Sequence, residues 1–355
     1  MSMKKKYIDI LLIAVAVLLN ACSSDDSGAQ PDPTDNKPVK KEIQVMTYAS
    51  QFAETALSRR AAPTGFSAYT PKKNTNMGIY MLLEENWASP KLERITYYTS
   101  TSKWNAYFEV EKNKTFTVYG YMPKTEGMAS TLTKSTADAA TLTITGIKPV
   151  TTDDICIITG VNDTDSGLKE GQFSWSTPVE EEIETYNISL LMDHLYAAAQ
   201  FRLKIDAEYA SLRTIKLKTM TLSTNIGSVN ATVTLKHNDT GASPISSVTY
   251  TPSGDSDEII IFNSDEGVAL DKTTPLDINA CFAPTLSANL TLVSTYDVYD
   301  SKGNLIRQNS TATNKLPNLE AIRGQRVQLY LTVNPTYLYV LSEPDLDNPT
   351  IKIEN

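Results

Sequence analysis

The sequence predicts an all-β protein made of antiparallel β-sandwich domains in tandem, and three observations predict it. The body is rich in Thr, Val, Ile and Tyr, residue types that suit a pleated, half-buried surface. Apolar residues recur with a period of two in short runs separated by polar punctuation. No sustained apolar pattern of helical period occurs. Residues 325–333 alternate most clearly: Val327, Leu329, Leu331 and Val333 share one face, and Gln328, Tyr330 and Thr332 take the other.

Earlier runs of the same kind predict strands over 77–84, 93–99, 115–121, 141–147, 154–159, 186–192, 197–205, 214–222, 258–262, 276–282 and 290–299. Lys302-Gly303-Asn304 reads as a hairpin turn between 290–299 and 305–311. Residues 317–323 predict at most one helical turn, ended by Gly324. A connector is expected at 177–185, where Pro178 opens the acidic stretch Glu180-Glu181-Glu182-Ile183-Glu184. It divides the body into an N-terminal sandwich over 41–185 and a C-terminal one over 186–355, each long enough for its own core.

The 355 residues are 41% hydrophobic and 21% charged, a balance that lets most of the chain bury a core. The net charge of −9 supplies no basic face for nucleic acid. Only His194 and His237 are present, so histidine catalysis and multi-histidine metal sites lack material. No G-x-S-x-G, H-E-x-x-H, C-x-x-C or phosphate-binding glycine loop occurs, and no two glycines stand at G-x-G spacing. His194 reads as a hydrogen-bonded structural residue, since no Ser or Cys partner is evident. Asp163, Asp165 and Gly167 miss calcium-loop spacing and read as a solvated turn. The chain is therefore not expected to be an enzyme, and no cofactor or metal is expected. Cys156 and Cys281 lie in apolar runs and read as buried free thiols.

The start of the chain reads as an address. Lys4-Lys5-Lys6 precede an apolar run, Ile10 to Leu19, that is too short to cross a bilayer. Leu19-Asn20-Ala21-Cys22 then resembles the lipobox of bacterial lipoproteins. The resemblance implies a signal peptide over 1–21, cleavage before Cys22, and lipidation of that thiol by a diacylglycerol with fatty acyl chains such as palmitate. Residues 22–40 are polar and rich in Pro, Asp and Asn, a flexible tether. Ser23-Ser24-Asp25-Asp26 is either a surface-export signal or ordinary linker.

Several motifs in order resemble the fimbrillins, the lipoprotein pilins of type V pili. Ile43-Gln44-Val45 precedes Ser58-Arg59-Arg60-Ala61, and Met77-Gly78-Ile79-Tyr80 matches an early strand of that family. Trp104 and Phe108 come before Phe116-Thr117-Val118-Tyr119-Gly120-Tyr121-Met122-Pro123. Asp153-Asp154-Ile155, Leu190-Leu191-Met192-Asp193-His194-Leu195 and Leu319-Glu320-Ala321-Ile322-Arg323-Gly324-Gln325 complete the set, with Met192 standing where the family has Phe. The resemblance implies two transthyretin-like sandwiches, an outer-membrane, surface-exposed lipoprotein, and trimming by an arginine-specific protease at the Arg60–Ala61 bond, with Arg59 as the adjacent alternative. Trimming removes the first strand over 43–53, and a neighbouring pilin fills the groove by strand addition, in a homo- or hetero-polymer that supports adhesion. Ile43 and Val45 against Met46, Tyr48 and Phe52 make that strand apolar on both faces, so it wants burial on both. The donor strand is expected in the C-terminal region, with Ile351 and Ile353 spaced to enter successive pockets. A tip or anchor pilin and a monomeric surface lipoprotein that binds glycan or protein are the alternatives.

Overall fold

A computed structural model describes residues 38–54, 65–162, 169–177, 185–286, 290–316, 321–337 and 344–354. Residues 1–37, with the predicted signal peptide, Cys22 and nearly all of the tether, lie outside the described residues. So do Arg59, Arg60 and Ala61, the Asp163–Gly167 turn, the acidic stretch at 178–184 and the first half of the expected helical turn at 317–323.

The chain is nearly all strand. It runs through β1 (Val39–Ser50), β2 (Ala53–Glu54), β3 (Phe66–Ala68), β4 (Thr75–Leu82), β5 (Glu93–Tyr98), β6 (Lys103–Asn105), β7 (Tyr107–Val110) and β8 (Thr115–Met122). There follow β9 (Ala129–Thr136), β10 (Ala139–Ile147), β11 (Val150–Thr151), β12 (Cys156–Asn162), β13 (Ser174–Ser176), β14 (Thr185–His194) and β15 (Ala197–Ile205). A single turn-and-a-half of helix, α1 (Ala207–Leu212), leads into β16 (Arg213–Thr224), β17 (Ser228–Lys236), β18 (Ile245–Ser253), β19 (Asp257–Ala269) and β20 (Leu276–Phe282). The last strands are β21 (Thr291–Asp300), β22 (Leu305–Lys315), β23 (Gln325–Tyr337) and β24 (Pro344–Glu354). Asp206 caps α1 by accepting from the amides of Glu208 at 2.9 Å and Tyr209 at 3.0 Å, a short local signal that periodicity over longer windows passes over.

Four sheets result. The first has ten strands in the order β3-β1-β14-β12-β8-β4-β5-β6, with β13 beside β8 and β7 beside β1. Because β6 runs through Ala106 into β7, the far end of this sheet returns to β1, and the Ile43 amide bonds the Ala106 carbonyl at 2.9 Å. The enclosed core holds Ile43, Met77, Ile79, Val118, Ile158, Ile188, Leu190 and Met192. Alternation sends Tyr80, Tyr119 and Tyr121 to the opposite face, against the second sheet, β18-β17-β10-β9. There Tyr119 Oη meets His237 Nε2 at 2.8 Å and Tyr80 Oη meets Ser130 Oγ at 2.9 Å. Gly120 sits where strands come closest: a Cβ on it would stand 2.4 Å from the Gly78 carbonyl oxygen.

The third sheet, β11-β20-β15-β23-β2 with β24 on β23, packs against the fourth, β19-β16-β21-β22. Phe201, Leu203, Ile278 and Leu331 meet Ile215, Leu217, Leu292 and Val298 in one core that also lines the back of the second sheet. This is the expected all-β sandwich construction. The sheets nevertheless cross the expected division at 177–185 in four places among the described residues. β14 inserts between β1 and β12, β17 pairs with β10, β11 pairs with β20, and β2 pairs with β23. Residues from Pro38 onward accordingly form one compact unit. An acidic, proline-led stretch of sequence carries no information about which sheet the next strand joins.

Candidate functional site

The N-terminal strand is the element on which the sequence reading turns, and its seat spans two sheets. β1 runs parallel to β14 in a continuous register from Glu42 opposite Thr185 to Ala49 opposite Met192. Its other edge pairs antiparallel with β7 at Val39–Glu42 and with β3 at Tyr48–Ser50. Ile43 is fully buried, and Val45 packs against the same core. Met46 and Tyr48, expected to be covered on the second face, are half-buried. Beyond Ser50 the chain leaves the first sheet, and β2 pairs parallel with β23 at Gln325 and Arg326.

A polar cluster fastens this crossing. Ser50 Oγ donates to Asp193 Oδ1 at 2.6 Å, a contact spanning 143 residues of sequence. Arg323 Nη1 donates to Asp193 Oδ2 at 2.6 Å and to the His194 carbonyl at 2.8 Å. The Phe52 ring stacks on the His194 imidazole, with centroids 3.6 Å apart and 14° between planes. The Arg326 guanidinium lies 5.4 Å from the Phe52 ring centre on its way to Glu54, which it meets at 3.0 Å. The Ala53 amide bonds the Gly324 carbonyl at 2.9 Å. Gly324 has φ +71°, a left-handed conformation that side-chain-bearing residues rarely adopt.

Under the imidazole, His194 Nδ1 lies 2.6 Å from Asp154 Oδ2. The Cys156 thiol donates to the same oxygen at 3.1 Å and stands 3.9 Å from Nδ1. Burial pushes the Cys156 thiol well above its ordinary pKa, and the Asp154 carboxylate adds to the effect. Tyr69, just after β3, is pushed up to about 12 by burial and by the same two neighbours. Glu170 is raised to about 7, chiefly by burial, with Asp193 raising it and Thr159 and Arg323 lowering it. His194 is buried and hydrogen-bonded, and the structure sets beside it a cysteine, Cys156, that the sequence did not show as a partner; Cys156 and Cys281 are buried free thiols.

The predicted donor residues lie on the same strand edge. β24 pairs antiparallel with β23, setting Ile351 opposite Val333 and Ile353 opposite Leu331. Ile351 is buried and Ile353 half-buried. The tail's backbone is gripped as well: Tyr296 Oη donates to the Pro349 carbonyl and Asn314 Nδ2 to the Ile351 carbonyl, both at 2.8 Å. β15 fills the other edge of β23. The two chain ends therefore share one edge of β23, β2 at Gln325–Arg326 and β24 from Tyr330 onward, and they run toward each other. Sequence reasoning named Ile351, Ile353 and Phe52. It missed Ser50, Asp193 and Arg323 as a unit, because nothing local in a sequence sets contacts 130 residues apart.

No family model matches the chain, and no curated protein matches it. Solved structures do. A candidate cell adhesion protein from Bacteroides fragilis is similar at 10% identity and a TM-score of 0.41, over 89% of this chain and 97% of that one. One from Bacteroides uniformis has 13% identity and a TM-score of 0.38, over 88% and 98%. A fimbrial protein from Bacteroides vulgatus has 14% identity and a TM-score of 0.35, over 89% and 98%.

Proposed function

We propose that this protein is a structural subunit of a cell-surface pilus, exported as a lipoprotein through Cys22, matured by cleavage after Arg60, and polymerised by strand exchange. The observation that carries the reading is the seat of the first strand. The covalent path from β1 and β2 to the rest of the fold runs through residues 55–64, which contain Arg59-Arg60-Ala61. Cutting there turns a built-in strand into a separate, non-covalently held peptide.

Its loss would strip one edge of β14 over eight paired positions, Glu42 to Ala49, and the end of β23 where β2 sat. Unpaired strand edges flanked by vacated apolar sites invite an incoming strand. Ile43 alone accounts for about 1.5–3 kcal/mol of burial, and Val45 and Phe52 add to it. The order of fimbrillin-like motifs along the chain supports the same reading, and the C-terminal residues Ile351 and Ile353 are the donor candidates.

The test starts from the full chain treated with an arginine-specific protease. The expected product begins at Ala61, and on release of its first strand it forms ladders resistant to sodium dodecyl sulfate and filaments visible by electron microscopy. A product that begins at Ala61, loses 1–60 and stays monomeric would refute strand exchange.

A further inference from the structure

We propose that Asp154, Cys156 and His194 form a binding site for one soft divalent cation of the zinc class, roofed by Phe52. The three side chains come from two strands and the turn before them. Cys156 opens β12, Asp154 stands two residues ahead of it, and His194 closes β14, directly opposite Cys156 in the register. One candidate ligand atom from each residue lies within 4.8 Å of the others.

The donor set and charge suit such an ion. Thiolate, imidazole and carboxylate are the three classes of protein ligand that zinc takes, at about 2.3, 2.0–2.1 and 2.0–2.2 Å. Tetrahedral bonds of those lengths set ligand atoms roughly 3.3–3.6 Å apart. The Cys156–Asp154 and Cys156–His194 separations, 3.1 and 3.9 Å, bracket that range. The Asp154–His194 pair, at 2.6 Å, has to open by less than an ångström. A cysteine thiolate and an aspartate carboxylate together neutralise a divalent ion, so the occupied site carries no net charge, which lowers the cost of its burial.

Two donors now converge on a single oxygen, Asp154 Oδ2. A cation would take the place of the two protons that now bridge these atoms. On binding, the thiol proton leaves to solvent and the imidazole proton moves from Nδ1 to Nε2. The move gives up the bond to Asp154 and leaves the proton on Nε2, which in this residue, 3% exposed, has no hydrogen-bond partner among the described residues; the metal–nitrogen bond has to offset that cost. Asp154 Oδ1 is likewise buried without a partner there and stands ready as a further ligand atom. Phe52 covers the imidazole face at 3.6 Å. A two-histidine sequence gives no sign of this cluster, because His194 stands 38 residues from Cys156 and the two meet only through the β12–β14 register.

Cobalt(II) is the probe, added to the purified full chain. The expected result is one equivalent bound, with the near-ultraviolet charge-transfer absorption of a thiolate–cobalt bond. Cys156→Ser abolishes that absorption, Cys281→Ser leaves it, and Asp154→Asn weakens affinity by about tenfold or more. Phe52→Ala speeds uptake without changing the stoichiometry. Circular dichroism of each variant confirms the fold, and Asp154→Asn, which preserves shape, guards against a Cys156→Ser chain that does not fold. No thiolate band in the folded full chain, or a band that survives Cys156→Ser, would overturn the site. An uptake rate unchanged by Phe52→Ala would overturn the roof.

Discussion

The two ends of the chain meet on one strand, and they are held there in opposite ways. β1–β2 is a bridging element: it has partners on both edges in the first sheet, then crosses to β23 through Ser50, Phe52 and Glu54. To its backbone ladders it adds fastenings of side chain to side chain, Ser50 to Asp193, Phe52 to His194 and Glu54 to Arg326. β24 lies at the margin, with β23 as its one ladder partner among the described residues, and its anchors Tyr296 and Asn314 hold its backbone carbonyls. The difference teaches which end is replaceable by what. A seat that recognises side chains selects a sequence; a seat that recognises carbonyls accepts any strand with apolar residues at alternate positions.

The sharpest way to break that comparison is to prevent the first strand from ever separating. Arg59→Ala with Arg60→Ala should leave a lipidated full-length protein and no polymer, an all-or-none effect. Intact mass after arginine-specific proteolysis checks it. Polymer formed by the uncut double variant would mean that the first strand is not the plug.

Deletion of Pro349–Asn355 tests the other end. The variant loses the burial of Ile351 and the two carbonyl anchors, together about 3–5 kcal/mol, and should still fold and be cleaved, with urea unfolding reporting the loss. It should act as a chain terminator when mixed with intact cleaved subunits. If deleted subunits build ladders alone, the donor lies within 325–341 instead.

Asp193→Ala addresses the fastening of the first strand. Removing a buried partner leaves Arg323 with the His194 carbonyl but no carboxylate, and Ser50 without its acceptor. Fully buried pairs cost about 3–5 kcal/mol when broken this way. Arg323 is partly exposed, so about 2–3 kcal/mol is the expected loss. Hydrogen exchange should rise in β1 amides from Ile43 to Ala49 before it rises in Ile351 and Ile353. Equal acceleration at both ends would show that Asp193 supports the whole fold rather than the strand.

The strands were legible in the sequence where alternation was sharp, as at Val327–Val333 and Ala197–Ile205, because one face buries and the other does not. β18 was harder. Ile245–Ser253 carries Ser, Thr and Pro252, and most of its residues are exposed or half-exposed, so burial imposes little pattern. The donor and plug segments could be named because their apolar spacing is local. The Ser50–Asp193–Arg323 fastening and the Asp154–Cys156–His194 cluster could not. Both depend on β14 lying between β1 and β12, a parallel neighbour on one side and an antiparallel one on the other, and no spacing within β14 specifies its neighbours.

The smallest expected effect is a pH dependence that separates the two ends. Glu170 is half-buried beside β12 and within the field of Asp193 and Arg323, and burial raises it from 4.5 to about 7. Its folded-state pKa therefore lies above its unfolded value. Between about 4.5 and 7 the unfolded chain has released this proton while the native protein still holds it, so the Glu170 contribution to stability falls as pH rises through that window. Below the window both states are protonated, and above it both are ionised, so the contribution is flat on either side. The full shift overstates the effect because the carboxyl is partly solvated; about 1–2 kcal/mol is the expected span after screening. Glu170→Gln keeps the shape and removes the titration. The difference in urea-unfolding free energy between the variant and the parent should grow in the variant's favour from about pH 4.5 to 7 and then level off. Since Glu170 faces the Asp193–Arg323 pair and not the tail, the pH-linked loosening should appear in exchange at Ile43–Ala49 and be absent at Ile351. A difference between variant and parent that does not change with pH would mean that Glu170 titrates as an ordinary surface carboxylate and has no hold on the first strand.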